Sequence, residues 1–270
     1  MRLHFWKMNG AGNDFVVVDN RDLATQLSAE QIERLCDRNR GIGADGLLAV
    51  EPASSGADYK FRYYNADGGE AEMCGNGARC FGRFTATLDG ANKEAVSFET
   101  IAGTLSATMI GSNVQIAMSD PIDLAFDLPI ALEGLDAAVH FLNTGVPHAV
   151  VFVDSVADLD VRKHGAAIRY HEHFAPAGTN VNFVEVLSPG HIKIRTYERG
   201  VENETLACGT GMVACALLHH LIERAPSPIQ VDVKGGDTLE IGFQALAKQA
   251  FRDVTLTGPA DMVFEGEIEI

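Results

Sequence analysis

Tryptophan occurs once in 270 residues, and the five cysteines include no Cys-x-x-Cys pair. An odd cysteine count without that spacing argues against a disulfide framework and against a Cys-rich zinc site; it favours reduced thiols in a cytoplasmic chain. Basic residues are outnumbered, with Lys+Arg 21 against Asp+Glu 37 and a formal net charge of −16. Such a surface repels a phosphate backbone, so no nucleic-acid partner is expected. No apolar run approaches the roughly 18 residues that cross a bilayer. The opening MRLHFWKMNG has neither an apolar core nor a small-residue cleavage site, so neither a membrane segment nor a signal peptide is expected. What is present is ordinary for a globular protein: 46% hydrophobic and 21% charged residues. The length allows one large domain or two of usual size, burying roughly three-quarters of the unfolded surface without staples.

The chain echoes itself at one long interval. NTGVPHAVVFVD (143–154) matches MNGAGNDFVVVD (8–19), pairing Gly145 with Gly10 and setting Asp154 135 residues after Asp19. ACGTG (207–211) echoes MCGNG (73–77), with Cys208 134 residues after Cys74, and Thr238 lies 134 residues after Thr104. Three landmarks in one order at nearly one offset indicate two similar domains, the interval being too long for a solenoid.

Segments 4–8, 15–19, 61–65 and 104–110, then 149–154, 181–186 and 191–197, are rich in β-branched and aromatic residues and read as strands. Ser28 followed by Gln31 is a capping box; it opens a helix with the stripe Ile32, Leu35 and Cys36, which Gly41 is expected to end. From Gly209 to Arg224, Met212, Val213, Ala216, Leu217, Leu218 and Leu221 occupy most of the circumference, the pattern of a buried core helix, and Pro226 stops it. The expected fold class is α+β: two pseudosymmetric domains, each a mostly antiparallel sheet wrapped around a central hydrophobic helix. The boundary falls near Ser119-Asp120-Pro121. This gives an N-terminal domain 1–119 and a C-terminal domain 120–261, with an active site in the cleft between them. The closing stretch 262–270 is able to join either sheet, the N-terminal domain being the one it would complete.

CGNG and CGTG share a physical logic. A glycine-containing turn into a helix leaves backbone N–H groups pointing outward, and the helix dipole adds positive potential. Such a terminus binds a carboxylate or phosphate, and a thiol at the N-cap feels a field that favours the thiolate. Two such termini facing one another suit inversion at the Cα of an amino acid. One sulfur removes the proton as a base while its twin returns one from the opposite face, and fixed N–H donors stabilise the charge pushed onto the carboxylate. No metal or carbonyl cofactor is required. The alternatives are small buried cysteines beside structural glycines, a non-catalytic amino-acid-binding protein, or a thiol redox protein.

NGAGNDF (9–15), NADGGEAEMCGNGARC (65–80), GVPH (145–148), PAGTNVNF (176–183) and YERGVENETLACGTG (197–211) make the chain resemble the diaminopimelate epimerases, from residue 8 to about residue 218. The resemblance implies cofactor-independent interconversion of LL- and meso-2,6-diaminopimelate in lysine and peptidoglycan precursor synthesis, with Cys74 and Cys208 as the acid/base pair. It also implies a cytoplasmic homodimer whose partner is a small-molecule substrate. Carried over by position, Asn13, Asn65, Asn180 and Arg199 hold the distal amino-acid end; Gly75-Asn76 and Gly209-Thr210 contact the reacting carboxylate. Glu198 holds an ammonium and, with His148, tunes the two thiols. Two positions depart from the pattern: Gly46 where many members carry Gln, and Val146 where many carry Asn. They bear on distal-end recognition more than on proton transfer. A rival within the same class is a proline- or histidine-type racemase.

GIGADG (41–46) fits G-x-G-x-x-G but follows a helix and precedes a strand, the reverse of a dinucleotide fingerprint. His171-Glu172-His173 has no third ligand at metal spacing and is expected to form a polar turn. Cys36, Cys80 and Cys215 are expected to pack inside helices. His219 and His220 fall near a helix C-terminus, where the dipole favours them.

Overall fold

The computed structural model describes residues 2–71, 73–101 and 103–270, and the chain divides into two units, Met1–Ile116 with Gly258–Ile270, and Ala117–Thr257. In the first, β1 (Arg2–Gly10) turns into antiparallel β2 (Asn13–Asp19) through Ala11 and Gly12. Both have positive φ, 57° and 87°, as a two-residue hairpin between right-twisted strands demands. Helix α1 (Ala29–Cys36) then crosses to β3 (Gly46–Glu51), which pairs in parallel with β2. Antiparallel β4 (Tyr59–Asn65) and the short β5 (Glu70–Ala71) lead into α2 (Gly75–Thr87). The unit continues with β6 (Ala95–Thr100), parallel to β4, and antiparallel β7 (Gly103–Ile110) and β8 (Asn113–Ala117).

The second unit repeats this plan. It begins with antiparallel β9 (Ile122–Leu128), β10 (Val139–Asn143) and β11 (Pro147–Phe152). Helix α3 (Val161–Arg169) crosses to parallel β12 (Asn180–Ser188), followed by antiparallel β13 (His191–Glu198) and β14 (Asn203–Thr205). Beyond α4 (Gly209–Glu223) come β15 (Ile229–Asp232), parallel to β13, and antiparallel β16 (Thr238–Ala245) and β17 (Phe251–Pro259). The closing β18 (Asp261–Glu269) pairs antiparallel with β1. Each unit is thus a mostly antiparallel sheet, and the α+β class is the one observed. The outermost strand beside β1 is β18, from the far end of the chain, whereas β9 beside β10 immediately precedes it.

The ladders shift the register of the internal repeat. Phe15 stands between Met8 and Gly46, and His148 between Leu142 and Asn180. His148 therefore corresponds to Phe15, two positions from where the Gly10–Gly145 match puts it. The physical reason is the hairpin: β1 and β2 run to the pair Gly10–Asn13 with a two-residue loop, whereas β10 and β11 close at Asn143–Pro147 with a three-residue loop. Glycines confirm the new register. An ideal Cβ on Gly77 would lie 3.3 Å from Leu48 and 3.5 Å from Phe15, and one on Gly211 would lie 2.4 Å from Asn182 and 3.3 Å from His148.

Helix α4 packs on β10–β13, β15 and β16, and α2 on β1–β4, β6 and β7, so each sheet curls around one helix. Met212, Val213, Leu217 and Leu218 are fully buried, each stabilising the fold by about 1.5–3 kcal/mol. Helix α2 departs from the expected apolar core helix, because it buries the Arg79 side chain completely. Ser28 caps α1 in a capping box with Gln31, but the helix stops at Cys36, short of Gly41. The Asp37 carboxylate accepts the N–H groups of Asn39 and Arg40, an Asx turn that replaces a further helical turn. His219 is buried, not favoured by the dipole; its Nε2 accepts from the Gly190 N–H, and burial lowers its pKa. His220 instead contacts the Ala225 carbonyl oxygen at 2.6 Å through Nδ1, closing the helix. No helix among the described residues is long and apolar enough to cross a membrane.

Candidate functional site

In the first unit Cys74 is the N-cap of α2, half-buried and extended at φ −135°, ψ 121°, and its carbonyl accepts the Ala78 N–H. Gly75 and Asn76 form the first turn. Their N–H groups have no carbonyl one turn earlier to donate to. The Asn76 side chain is fixed by chemistry: Arg79 can only donate, and its Nη2 lies 2.9 Å from Asn76 Oδ1. Asn76 Nδ2 is thereby turned to Asn13 Oδ1 at 2.8 Å, and Asn13 Nδ2 donates to the Asp45 carboxylate at 2.6 Å. Arg38 ties Asp45 to Asp14, and the buried Lys7 holds Asp14 from the other side. Burial alone would raise the Asp14 carboxyl, but hydrogen bonds and charges from Arg38 and Lys7 outweigh it and hold the pKa at about 2. The network anchors Asn13 at the head of β2. Gly10 permits this approach, since a Cβ there would lie 2.9 Å from the Asn76 carbonyl oxygen and 3.0 Å from Cys80. Asn65 ends β4 at the same edge, paired with Gly46 and accepting from the Tyr63 hydroxyl at 2.8 Å.

In the second unit Cys208 is the N-cap of α4 at φ −127°, ψ 110°, and only 7% exposed. Its Sγ lies 3.6 Å from Thr210 Oγ1, which in turn lies 2.8 Å from His148 Nε2. Thr144 Oγ1 donates to the Thr210 carbonyl at 2.8 Å, tying the loop after β10 to the first turn of α4. His148 and Asn180 head the parallel strands β11 and β12 side by side. Asn180 donates to the Pro147 carbonyl and accepts the Arg199 N–H at 2.8 Å, while Arg199 Nη1 reaches the carbonyls of Ala177 and Gly178. Burial pushes the His148 ring down to about 3, with the charge of Arg199 adding to it. Glu198 ends β13; burial raises its carboxyl pKa, and the Thr205 hydroxyl offsets part of this.

Within each unit, therefore, the residues expected from the sequence gather at the N-terminus of the central helix: Cys74, Gly75, Asn76 and Asn13 in one, Cys208, Gly209, Thr210, His148, Asn180 and Arg199 in the other. Each terminus offers N–H donors and a cysteine side by side, a place for a carboxylate next to a proton-transfer group. Among the described residues no group of His, Cys, Asp or Glu is set to hold a metal ion. GIGADG enters β3 without opening a helix.

The sequence model described as diaminopimelate epimerase matches residues 5–122 and 140–263. The chain belongs to the diaminopimelate epimerase family. A diaminopimelate epimerase of Aquifex aeolicus is 42% identical over 98% of this chain and 98% of its own, and one of a Synechocystis species is 38% identical over the whole of both. Among solved structures, a phenazine biosynthesis protein of the PhzF family from Bacillus anthracis superposes with a TM-score of 0.75 at 16% identity, covering 100% of both chains. A probable proline racemase from Agrobacterium radiobacter superposes at 0.68 with 18% identity, over 99% of this chain and 92% of that one. At such identities the likeness concerns the fold alone.

Against the family pattern, Gly46 has a steric explanation: a Cβ there would lie 2.5 Å from the Tyr64 carbonyl oxygen and 2.8 Å from the Tyr63 ring. In this chain, therefore, a glutamine at 46 does not fit without displacement. Val146 accepts the Thr144 N–H through its carbonyl at 3.2 Å, a backbone role that leaves its side chain half-buried. Sequence reasoning missed Arg79, Asp45, Thr144 and Asn182. Arg79 and Asn182 stand inside the motifs CGNGARC and PAGTNVNF; nothing in the spacing shows that their side chains turn inward.

Proposed function

We propose that this chain interconverts LL- and meso-2,6-diaminopimelate without a cofactor, by two-base proton transfer at Cα. The observation that carries the reading is the placement of Cys74 and Cys208 as N-caps of the two central helices in a member of this family. One sulfur, as thiolate, takes the Cα proton; the other, as thiol, delivers a proton to the opposite face, and the roles exchange with the direction of reaction. The scheme requires the two sulfurs to flank one carbon when substrate is bound. N–H groups of Gly75-Asn76 and Gly209-Thr210 stabilise the charge that the carbanion pushes onto the carboxylate. Asn13, Asn65, Asn180 and the Arg199 fork bind the distal end, Glu198 takes an ammonium, and His148 and Glu198 shape the surroundings of the sulfurs. The same reading places the enzyme in the cytoplasm, in lysine and peptidoglycan precursor synthesis. Turnover in D₂O is the test: deuterium is expected at Cα of LL-diaminopimelate together with the meso isomer. No incorporation overturns the enzyme, and incorporation only into proline or histidine overturns the substrate.

A homodimer belongs to this reading. Met262, Val263 and Phe264 are consecutive exposed residues on β18, 46%, 57% and 48% accessible, and a second copy covering them removes an aggregation-prone strand from water. Sedimentation is expected to give twice the chain mass, and Phe264→Asp about half that value. A native protein sedimenting as one chain refutes the dimer.

A further inference from the structure

Behind Thr210 and His148 lie two buried side chains, Asn182 and Thr196, that proton transfer as described above does not use. His148 and Asn182 are fully buried and Thr196 is 2% exposed. Asn182 Nδ2 lies 3.2 Å from the Ala149 carbonyl oxygen and 3.1 Å from His148 Nδ1, and Asn182 Oδ1 accepts from Thr196 Oγ1 at 2.9 Å. A carbonyl oxygen only accepts, so Nδ2 must face Ala149, since the flipped amide would set oxygen against oxygen. The second hydrogen of Nδ2 then points at His148 Nδ1, which has to be the bare, accepting nitrogen. The ring proton sits on Nε2 and is donated to Thr210 Oγ1 at 2.8 Å. With that lone pair taken, the hydroxyl has its own hydrogen to give, and Cys208 Sγ is 3.6 Å away.

We propose that Asn182 is a positioning residue that holds His148 in the Nε2–H tautomer, so that the Thr210 hydroxyl donates its hydrogen to the sulfur of Cys208. The inference rests on the acid/base role given above to Cys208. Its support is independent of that role: the fold does not require polar groups here. The corresponding positions of the first unit are Phe15 and Leu48, which pack against Gly77 as His148 and Asn182 pack against Gly211. An apolar pair serves the same place in the sheet, whereas buried polar groups cost free energy unless each is bonded. The second glycine of CGTG has its reason in the same contact, since any side chain at 211 would strike Asn182. Burial holds His148 neutral at neutral pH, its pKa being pushed down to about 3, so the ring acts as a fixed dipole rather than as a proton carrier. The relay belongs to one unit alone, and it makes the two sulfurs chemically unequal: it favours the anion at Cys208.

The test is the ring itself. In protein labelled with ¹⁵N-histidine, the His148 resonances, identified by their loss in His148→Asn, are expected to show a protonated Nε2 and a bare Nδ1. In Asn182→Asp the carboxyl, protonated by burial, gives its one hydrogen to the Ala149 carbonyl and has none for His148, so the ring proton is expected on Nδ1. The Thr210 hydrogen then turns to Nε2, and kcat falls about tenfold to a hundredfold with KM little changed. Thr210→Val should lose a similar factor, and the double variant no more than the worse single one, because both remove one path. A native His148 protonated on Nδ1 overturns the proposal even if the variants fail to fold, and so do losses that multiply. The spectrum needs no turnover, so an error in the substrate leaves that arm intact.

Discussion

Replacing either Cys74 or Cys208 with alanine is expected to lower the rate of epimerisation by about a hundredfold to ten-thousandfold, the range assignable to one positioned acid or base. The two variants should differ in what they retain. An enzyme left with one sulfur can still remove a proton from the isomer that faces it and return one to the same face. Each variant should therefore exchange deuterium into one stereoisomer and not the other, without inversion. Complementary isomer preferences in the two variants would identify the sulfur that serves each face. Near-normal epimerisation by either variant would end the two-base scheme, whereas loss of inversion with exchange into both isomers would point to a base other than the cysteines.

Arg79→Met should cost about 4 kcal/mol of stability. The guanidinium is wholly buried and its acceptors include Asn76 Oδ1 at 2.9 Å and the carbonyls of Pro259 at 3.2 Å and Gly75 at 3.4 Å. Methionine fills the volume but leaves these acceptors without that donor, each at a cost of about 1–3 kcal/mol that partial relaxation reduces. The loss reaches the site as well. Without Arg79 the Asn76 amide loses one of the two bonds that fix it and keeps the one to Asn13, whose own amide Asp45 orients, so KM should rise together with the fall in urea midpoint. Arg79→Lys keeps the charge but cannot present three donors in a plane, and should fall between the two. A midpoint shift equivalent to less than about 1 kcal/mol would show that the buried guanidinium is dispensable.

The features that read correctly from the sequence depend on neighbours along the chain. The capping box at Ser28 and Gln31 joins residues three apart, and the circumferential apolar pattern of 209–224 needs only helical period to be recognised as buried. CGNG and CGTG likewise announce two helix N-termini with a cysteine at each cap. The end of α1 differs from expectation because Gly41 is a generic stop, while the Asx turn at Asp37 acts four residues sooner and depends on side-chain geometry. The repeat is real, but near Gly10 and Gly145 its structural register lies two residues from the match of letters. One hairpin has an extra ladder pair and a two-residue loop, the other a three-residue loop, and similarity of letters does not distinguish them.

The α+β class and the two cysteine-bearing helix ends were written in the sequence because caps and periodicity act within a few residues; the twofold plan was legible as a long repeat, and the family as a resemblance carried by whole motifs. Tertiary structure alone decided that β18 returns to β1, that Arg79 spans from α2 to Pro259 across 180 positions, and that Asn182, 34 positions from His148, orients its ring. These partners meet only when strand register and the curl of a sheet around its helix bring distant side chains inward. Hydrogen bonds have a reach of about 3 Å, and no local pattern along the chain encodes that.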